Sequence, residues 1–355
     1  MSTTPQARRP TLEEVRAQMG IPSAGGVRGQ RDAVGYATTA SGMARVWELS
    51  ATGPRPESFG ERGAPGAIGV LGPHDDYIYT ARVYREAFPL VTAKTVVIVG
   101  VFHRYRMFGE RDRLVFDDYR AWRSPGGEIA VSALRDELAA AMPAGMAVKD
   151  AAAHDSEHSI EGIAYFLQHA RPDLEIVPVI VPGASFERLA QMASRLAGAL
   201  AGSMRRRGWK LGEDVAIVIS TDGTHYGEDF RYSPHGPGGV EALERAREHD
   251  RRLLRETLAG PLAADCARRF YSTVVDPADP DRYRVTWCGR FSVTFGMLFL
   301  DEVARQAGIA RLEGVPLALG VSVDTPELAI REEGMGPTAP ANLYHFVTHP
   351  ALAWR

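Results

Sequence analysis

The chain has 355 residues, 45% apolar and 24% charged, proportions that exclude collagen-like, low-complexity and wholly disordered architectures. Its 41 Lys and Arg against 44 Asp and Glu leave a net charge of -3, so no global positive field draws it to nucleic acid. Two cysteines are too few for a disulfide scaffold, and no apolar run reaches the roughly 18 residues needed to cross a bilayer, so the expectation is a cytoplasmic protein without membrane or nucleic-acid partners.

Residues 11–19 (TLEEVRAQM) predict a short helix, with Thr11 as N-cap and Glu14 completing a capping box. Residues 20–66 are rich in Gly, Pro, Ser and charge and read as an extended arm that wraps the body or a neighbouring subunit, which leaves a homodimer open. The division is therefore an N-terminal extension over 1–66 and a body over 67–355. From Ala67 short β-branched runs alternate with helical patterns: AIGVL, TVVIVGV, LEIVPVIVP, DVAIVIS and PLALGVSV. Continuous apolar strands separated by helices imply an α/β fold, one large domain whose mostly parallel or mixed sheet is covered on both faces. Within residues 159–171, Ile160, Ile163, Ala164 and Leu167 fall on one helical face, and residues 185–200 and 241–258 behave alike. Residues 234–239 (PHGPGG) form a long loop.

Three strands pass directly into histidine. GVLGPHDDY places His74, VVIVGVFHRY places His103, and AIVISTDGTHY places Asp222 and His225. In open α/β sheets ligands bind at the carboxyl ends of strands, where these residues converge. Any one histidine is more often structural, and the shared placement is what singles these out. Cys288, in RVTWCGRFSVTFGMLFL, precedes an apolar helical stretch, where the helix dipole favours a thiolate for metal binding or attack; Cys266 reads as a small core residue. In HDSEHSIE, Asp155 or Ser156 is a candidate cap, and His158 and Glu161, three apart, share a face with Tyr165 as supporting groups or proton carriers. Arg104, Arg106 and Arg290 put positive charge near the rim and hint at an anionic small-molecule substrate.

Imidazole, thiolate and carboxylate are ligand types for first-row transition metals, although no short-spaced metal signature is present. The ordered motifs PHDDY, VGVFH, EHSIE, STDGTHYG and WCGR, with a closing GMGPTAPANLYHFV, resemble the Memo family, whose microbial members are known as AmmeMemoRadiSam system protein B. The resemblance covers roughly residues 69–347 and implies a fold similar to the class III extradiol dioxygenases, non-haem iron enzymes. Carried over by motif, it implies His74, His103 and Cys288 as ligands of one transition-metal ion, Fe(II) first with Cu or Zn as alternatives, and Asp222 and His225 as further pocket residues. Many relatives have Ala-Gly where this chain has Asp75 and Asp76, two carboxylates beside a ligand.

Three readings follow. The first is a mononuclear metal oxidoreductase, dioxygenase-like, in which Asp222 and His225 move protons. The second is a hydrolase, either with Cys288 as nucleophile and His225 and Asp222 as base and orienter, or with zinc activating water. The third is an adaptor that binds a ligand or peptide without turnover.

Overall fold

Every apolar run predicted as a strand forms one: Gly69–Gly72, Thr95–Val101, Glu175–Val181, Val215–Ser220 and Glu313–Val321. The computed structural model describes residues 8–60, 63–276, 278–324 and 326–355. Thr95–Val101 is buried along its whole length because helices cover both faces of the sheet, and its β-branched side chains fill both layers. Four strands run parallel in the spatial order 175–181, 95–101, 215–220 and 69–72. Gly69–Gly72 then pairs antiparallel with His345–Trp354, which pairs antiparallel with Glu313–Val321, so the sheet is mixed. The architecture is the expected α/β one.

Val215–Ser220 lies between Gly69–Gly72 and Thr95–Val101, two strands that are consecutive in the chain. Its insertion between them makes a topological switch, and the segments leaving the carboxyl ends of these three strands border one crevice. Helices Phe186–Arg207 and Arg290–Gln306 pack together on one side of the sheet, and Tyr77–Ala87 packs on the antiparallel strands. Phe186–Arg207 starts where the Ser185 hydroxyl accepts the Arg188 amide at 3.2 Å and runs past residue 200. Its last turn is Arg205, Arg206 and Arg207, cations at the negative end of the helix dipole. The 241–258 pattern appears as helix Val240–Arg252 widening into a π-helical turn, Leu253–Leu258.

The capping box at Thr11 and Glu14 is present as predicted. Residues 20–60 are not simply extended, because they hold a helix, Ala40–Ser50, that buries Met43 and Val46. Its apolar stripe is a single turn wide and lies between Gly- and Pro-rich flanks, which masks the period. Val27–Arg28 adds a short parallel strand to the sheet edge against Ala121–Ser124. The Arg28 side chain of this strand is fully buried: its guanidinium carbon lies 4.2 Å from the Trp122 ring centroid, and its Nη2 donates to the His154 carbonyl at 2.7 Å. The arm thus grips the segment that carries His158. No described helix is long and apolar enough to cross a membrane.

Candidate metal centre

His74 and His103 each follow the end of a parallel strand by two residues, and Asp222 does the same after Ser220. Two glycines allow the remaining segments to close in. A Cβ on Gly100 would lie 2.6 Å from Ile160 Cγ1, so only glycine lets residues 157–161 settle on that strand. A Cβ on Gly289 would lie 2.3 Å from Thr221 Oγ1, so glycine is also needed to bring Cys288 against the loop that carries Asp222.

The tautomers of two histidines follow from their partners. The Ser220 hydroxyl donates to the Ser159 carbonyl, so it can only accept from His74 Nδ1, 2.7 Å away. The lone pair on His74 then sits on Nε2, which lies 3.3 Å from Asp222 Oδ2 and 3.6 Å from Cys288 Sγ. Burial, then the nearby His103 and His158, hold His74 well below the ordinary imidazole range, so it is neutral. His103 Nδ1 donates to Glu157 Oε2 at 2.8 Å, and Glu157 Oε1 accepts the Arg104 amide at 3.0 Å. A carboxylate behind a histidine fixes its tautomer and orients the other nitrogen outward, as in metal sites. Burial opposes a charge on His103, but Glu157 outweighs it and raises the His103 pKa. His158 stacks on His103 with ring centroids 5.2 Å apart and planes within 3°.

Asp222 and Cys288 complete the centre. Asp222 Oδ1 accepts the amides of His74 and Asp75 at 2.9 and 3.2 Å, while the Asp222 amide donates to Cys288 Sγ at 3.2 Å. Burial and then the Asp75 charge push the Asp222 carboxyl up to about 7. Burial and then Asp222 push the Cys288 thiol well above its ordinary range. Cys288 precedes the N-cap Gly289, and desolvation beside a carboxylate opposes the thiolate that a helix start favours. A bound cation would reverse both shifts.

Ligand atoms of His74, His103 and His158 lie within 4.8 Å of one another, and so do those of His74, Asp222 and Cys288. The sequence grouping of His74, His103 and Cys288 is thus divided between two overlapping donor sets that share His74. The structure also draws His158 and Asp222 into ligand range.

These residues floor a cavity of about 390 Å³ walled by Tyr79, Phe230, Tyr283 and the 338–341 loop. His225 lines it, with Nδ1 donating toward the Gly223 and Thr286 carbonyls at 3.0 Å, which leaves Nε2 as the acceptor. The two extra carboxylates have separate partners. Asp75 lines the cavity and accepts from His349 Nε2 at 2.9 Å; burial would raise Asp75, but His349 carries it below the usual carboxylate range. Asp76 turns away to accept the Thr338 amide at 2.5 Å, anchoring the loop that roofs the cavity. Neither belongs to a donor set.

Glu161 is not in the cavity. It is fully buried in an ion pair with Arg28 and accepts the amides of Arg31 and Asp32 at 2.6 and 3.0 Å. The helix begins at Glu161, so His158 lies before it and the two do not share a helical face. Asp155 ends the preceding helix, Ala151–Asp155, and no side chain caps Glu161–Ala170. Glu157 is the partner that helical spacing overlooked. Its signal was adjacency to His158 in the same polar motif. The large cavity has no Lys or Arg in its lining, so none of the three arginines read as its rim lines it; Arg106 and Arg290 line a separate small one. The thiol's imidazole neighbour within hydrogen-bond reach is His74, so the proposed pairing of Cys288 with His225 as base is not assembled.

A profile of the Memo-like protein family matches residues 44–312, starting inside the segment read as an arm. The chain is 34% identical over 197 residues to a MEMO1 family protein of Thermococcus kodakarensis, covering 53% of this chain and 63% of that protein. It is 28% identical over 212 residues to one of Pyrococcus horikoshii, covering 57% of this chain and 68% of the relative. A third, from Methanothermobacter thermautotrophicus, is 29% identical over 164 residues, 44% of this chain and 54% of the relative. The aligned stretch thus spans less than two thirds of the Thermococcus protein. With the profile matching well over half of its length, the chain belongs to the Memo-like family.

Proposed function

We propose that the protein binds one transition-metal ion and uses it in oxidoreductase chemistry on a small molecule held in the large cavity. The observation that carries this is the overlap of two donor sets on His74, whose free Nε2 is set by the hydrogen bond from Nδ1 to Ser220. The residues fit a metal by donor chemistry: imidazoles, with the rings of His74 and His103 oriented by Ser220 and Glu157, and a thiol and a carboxylate whose protons a cation would displace. His74, Cys288 and Asp222 would hold the ion, with His103 and His158 as further candidate donors. A mixed set of this kind suits iron or copper, metals that change valence and so supply electron transfer to the bound substrate.

The chain's own residues do the rest. Glu157 orients His103. His225 Nε2 faces the cavity as an acceptor and takes a proton from a substrate hydroxyl or amine, while the aromatic walls of Tyr79, Phe230 and Tyr283 exclude water around it. The deciding experiment reconstitutes metal-free protein separately with Fe(II), Cu and Zn(II). It follows O2 consumption with catechols, thiols and mild reductants alongside release from ester and amide substrates. Uptake with iron or copper, absent with zinc and lost in His74→Ala, supports the reading. Zinc-dependent hydrolysis without O2 uptake makes the protein a metallohydrolase, and stoichiometric metal with no turnover leaves a binding protein.

A further inference from the structure

Arg290 follows Cys288 by two residues and opens the 17-residue helix Arg290–Gln306. The residue is 2% exposed, yet no carboxylate among the described residues pairs with its guanidinium. Asp281, the acidic residue beside it, gives its carboxylate to Arg111 and the Tyr105 hydroxyl, and offers Arg290 only its backbone carbonyl, 3.3 Å from Nη2. The other contact of Nη2 is the Tyr105 hydroxyl at 3.4 Å. Nε and Nη1 are buried and have no hydrogen-bond partner among the described residues.

Two rings lie against the group, Tyr283 with its centroid 3.6 Å from Cζ and Phe291 at 4.7 Å. They compensate the faces of the cation but not its edge, because guanidinium N–H bonds lie in the plane. An unmet buried donor on a charged group is among the most costly features an interior can hold.

A narrow cavity of about 30 Å³, reaching solvent beside the exposed Arg106 and Tyr283, lies against this residue, lined also by Tyr105, Ser292 and Phe102. His103, Tyr283 and Cys288 line both it and the large cavity, so it is an annex behind the metal centre. The volume exceeds the roughly 10–15 Å³ that one water needs and is of the size that holds a small ion. The lining holds two cations, Arg290 and Arg106, and no carboxylate. The first-turn amides of Phe291 and Ser292 have no acceptor among the described residues, at the positive end of a long helix. An anion would meet the bare edge of Arg290 and these amides and also neutralise the buried charge, which a water in the same place would not do.

We propose that this annex is a binding site for one small monovalent anion of halide size, held by the edge of Arg290 at the start of the helix. The site stands independently of the metal reading, since its donors are not metal ligands. Bromide is the probe. Crystals of the full chain, grown without chloride and soaked in sodium bromide, should show an anomalous peak within hydrogen-bond reach of Nε or Nη1.

In solution, bromide replacing gluconate at fixed ionic strength should raise the unfolding temperature by about 3 °C or more at saturation. That rise should be lost in Arg290→Gln and partly kept in Arg290→Lys. Waters alone in the annex overturn the proposal. So does a bromide peak with no effect in solution, which would be an adventitious ion only, or an equal rise in Arg290→Gln. If Arg290→Gln does not fold, the peak and the bromide dependence of the unaltered protein still decide.

Discussion

Glu157 holds Nδ1 of His103 at 2.8 Å with one oxygen and accepts the Arg104 amide with the other, so the carboxylate both orients the ring and ties it to the strand end. It is fully enclosed, and the His103 charge keeps it in its ionised form despite burial. Replacing it by Gln removes the charge and makes the ring tautomer ambiguous. Glu157→Gln should weaken metal affinity by about 10- to 100-fold, measured by competition with a chromophoric chelator, while the far-UV spectrum stays unchanged. Unaltered affinity would show that His103 is not a ligand or needs no orientation.

Much of the fold was legible because buried parallel strands demand continuous apolar residues, and runs such as TVVIVGV have no competing interpretation. The strand-end residues His74, His103 and Asp222 were legible for the same reason, since a polar group straight after a buried run has to sit at the sheet's edge. Other parts were hidden by chemistry that leaves no period. Glu157 lies in a turn between two short helices, where helical spacing instead selected Glu161, a residue that pairs with Arg28 from the arm. That pairing joins positions 133 apart and is invisible to any local pattern. His349 sits in the strand His345–Trp354 and is fully buried, so a lone imidazole inside an apolar run was its only signal.

The protons on Cys288 and Asp222 would make the proposed metal binding pH-dependent. Both groups lie above their ordinary ranges in the metal-free protein, Asp222 at about 7 and Cys288 well above its usual value. A cation must displace these protons, so apparent affinity should rise with pH, by about tenfold per unit for each proton released. The slope should be steepest below pH 7, where both are protonated. Alkylation offers a second readout: metal-free Cys288 should react at least about tenfold more slowly than a free cysteine at pH 7.5, because the thiolate is the nucleophile. Fast labelling of metal-free Cys288, identified by peptide mapping, would contradict the site's electrostatics.

His154 supplies an acid-sensitive element away from the cavity. It is fully buried, bonded through Nε2 to the Val115 carbonyl at 3.0 Å, and burial lowers its pKa to about 4. An unfolded histidine titrates near 6.5, so below that pH the unfolded chain binds a proton that the native state refuses. The neutral ring's contribution is complete above about 6.5 and is lost as pH falls toward 4, on the order of 3 kcal/mol in total. His154→Gln keeps a donor for Val115 and cannot titrate. Its urea-derived stability should decline less steeply than the unaltered protein's between pH 6.5 and 4. Equal slopes would place the acid sensitivity elsewhere.

Asp222 decides how the centre is divided between ligands and proton carriers. The family resemblance made it a pocket residue, whereas the structure puts Oδ2 in one donor set with His74 and Cys288. Asn at this position can keep a carbonyl oxygen for the amides of His74 and Asp75. The opposite atom then becomes an NH2 facing the Nε2 lone pair of His74, 3.3 Å from the original carboxylate oxygen. A donor at that point occupies the very lone pair a metal needs. Asp222→Asn should therefore lose metal occupancy, by about tenfold or more in affinity, with the fold intact because the backbone hydrogen bonds survive. A pure proton carrier would behave differently: full metal content with turnover suppressed about 10²-fold or more, the usual scale for losing general acid–base help. Metal content of the purified variant, read beside that of His74→Ala and His225→Ala, separates the two, and retained stoichiometric metal in Asp222→Asn would return Asp222 to the proton-carrying role.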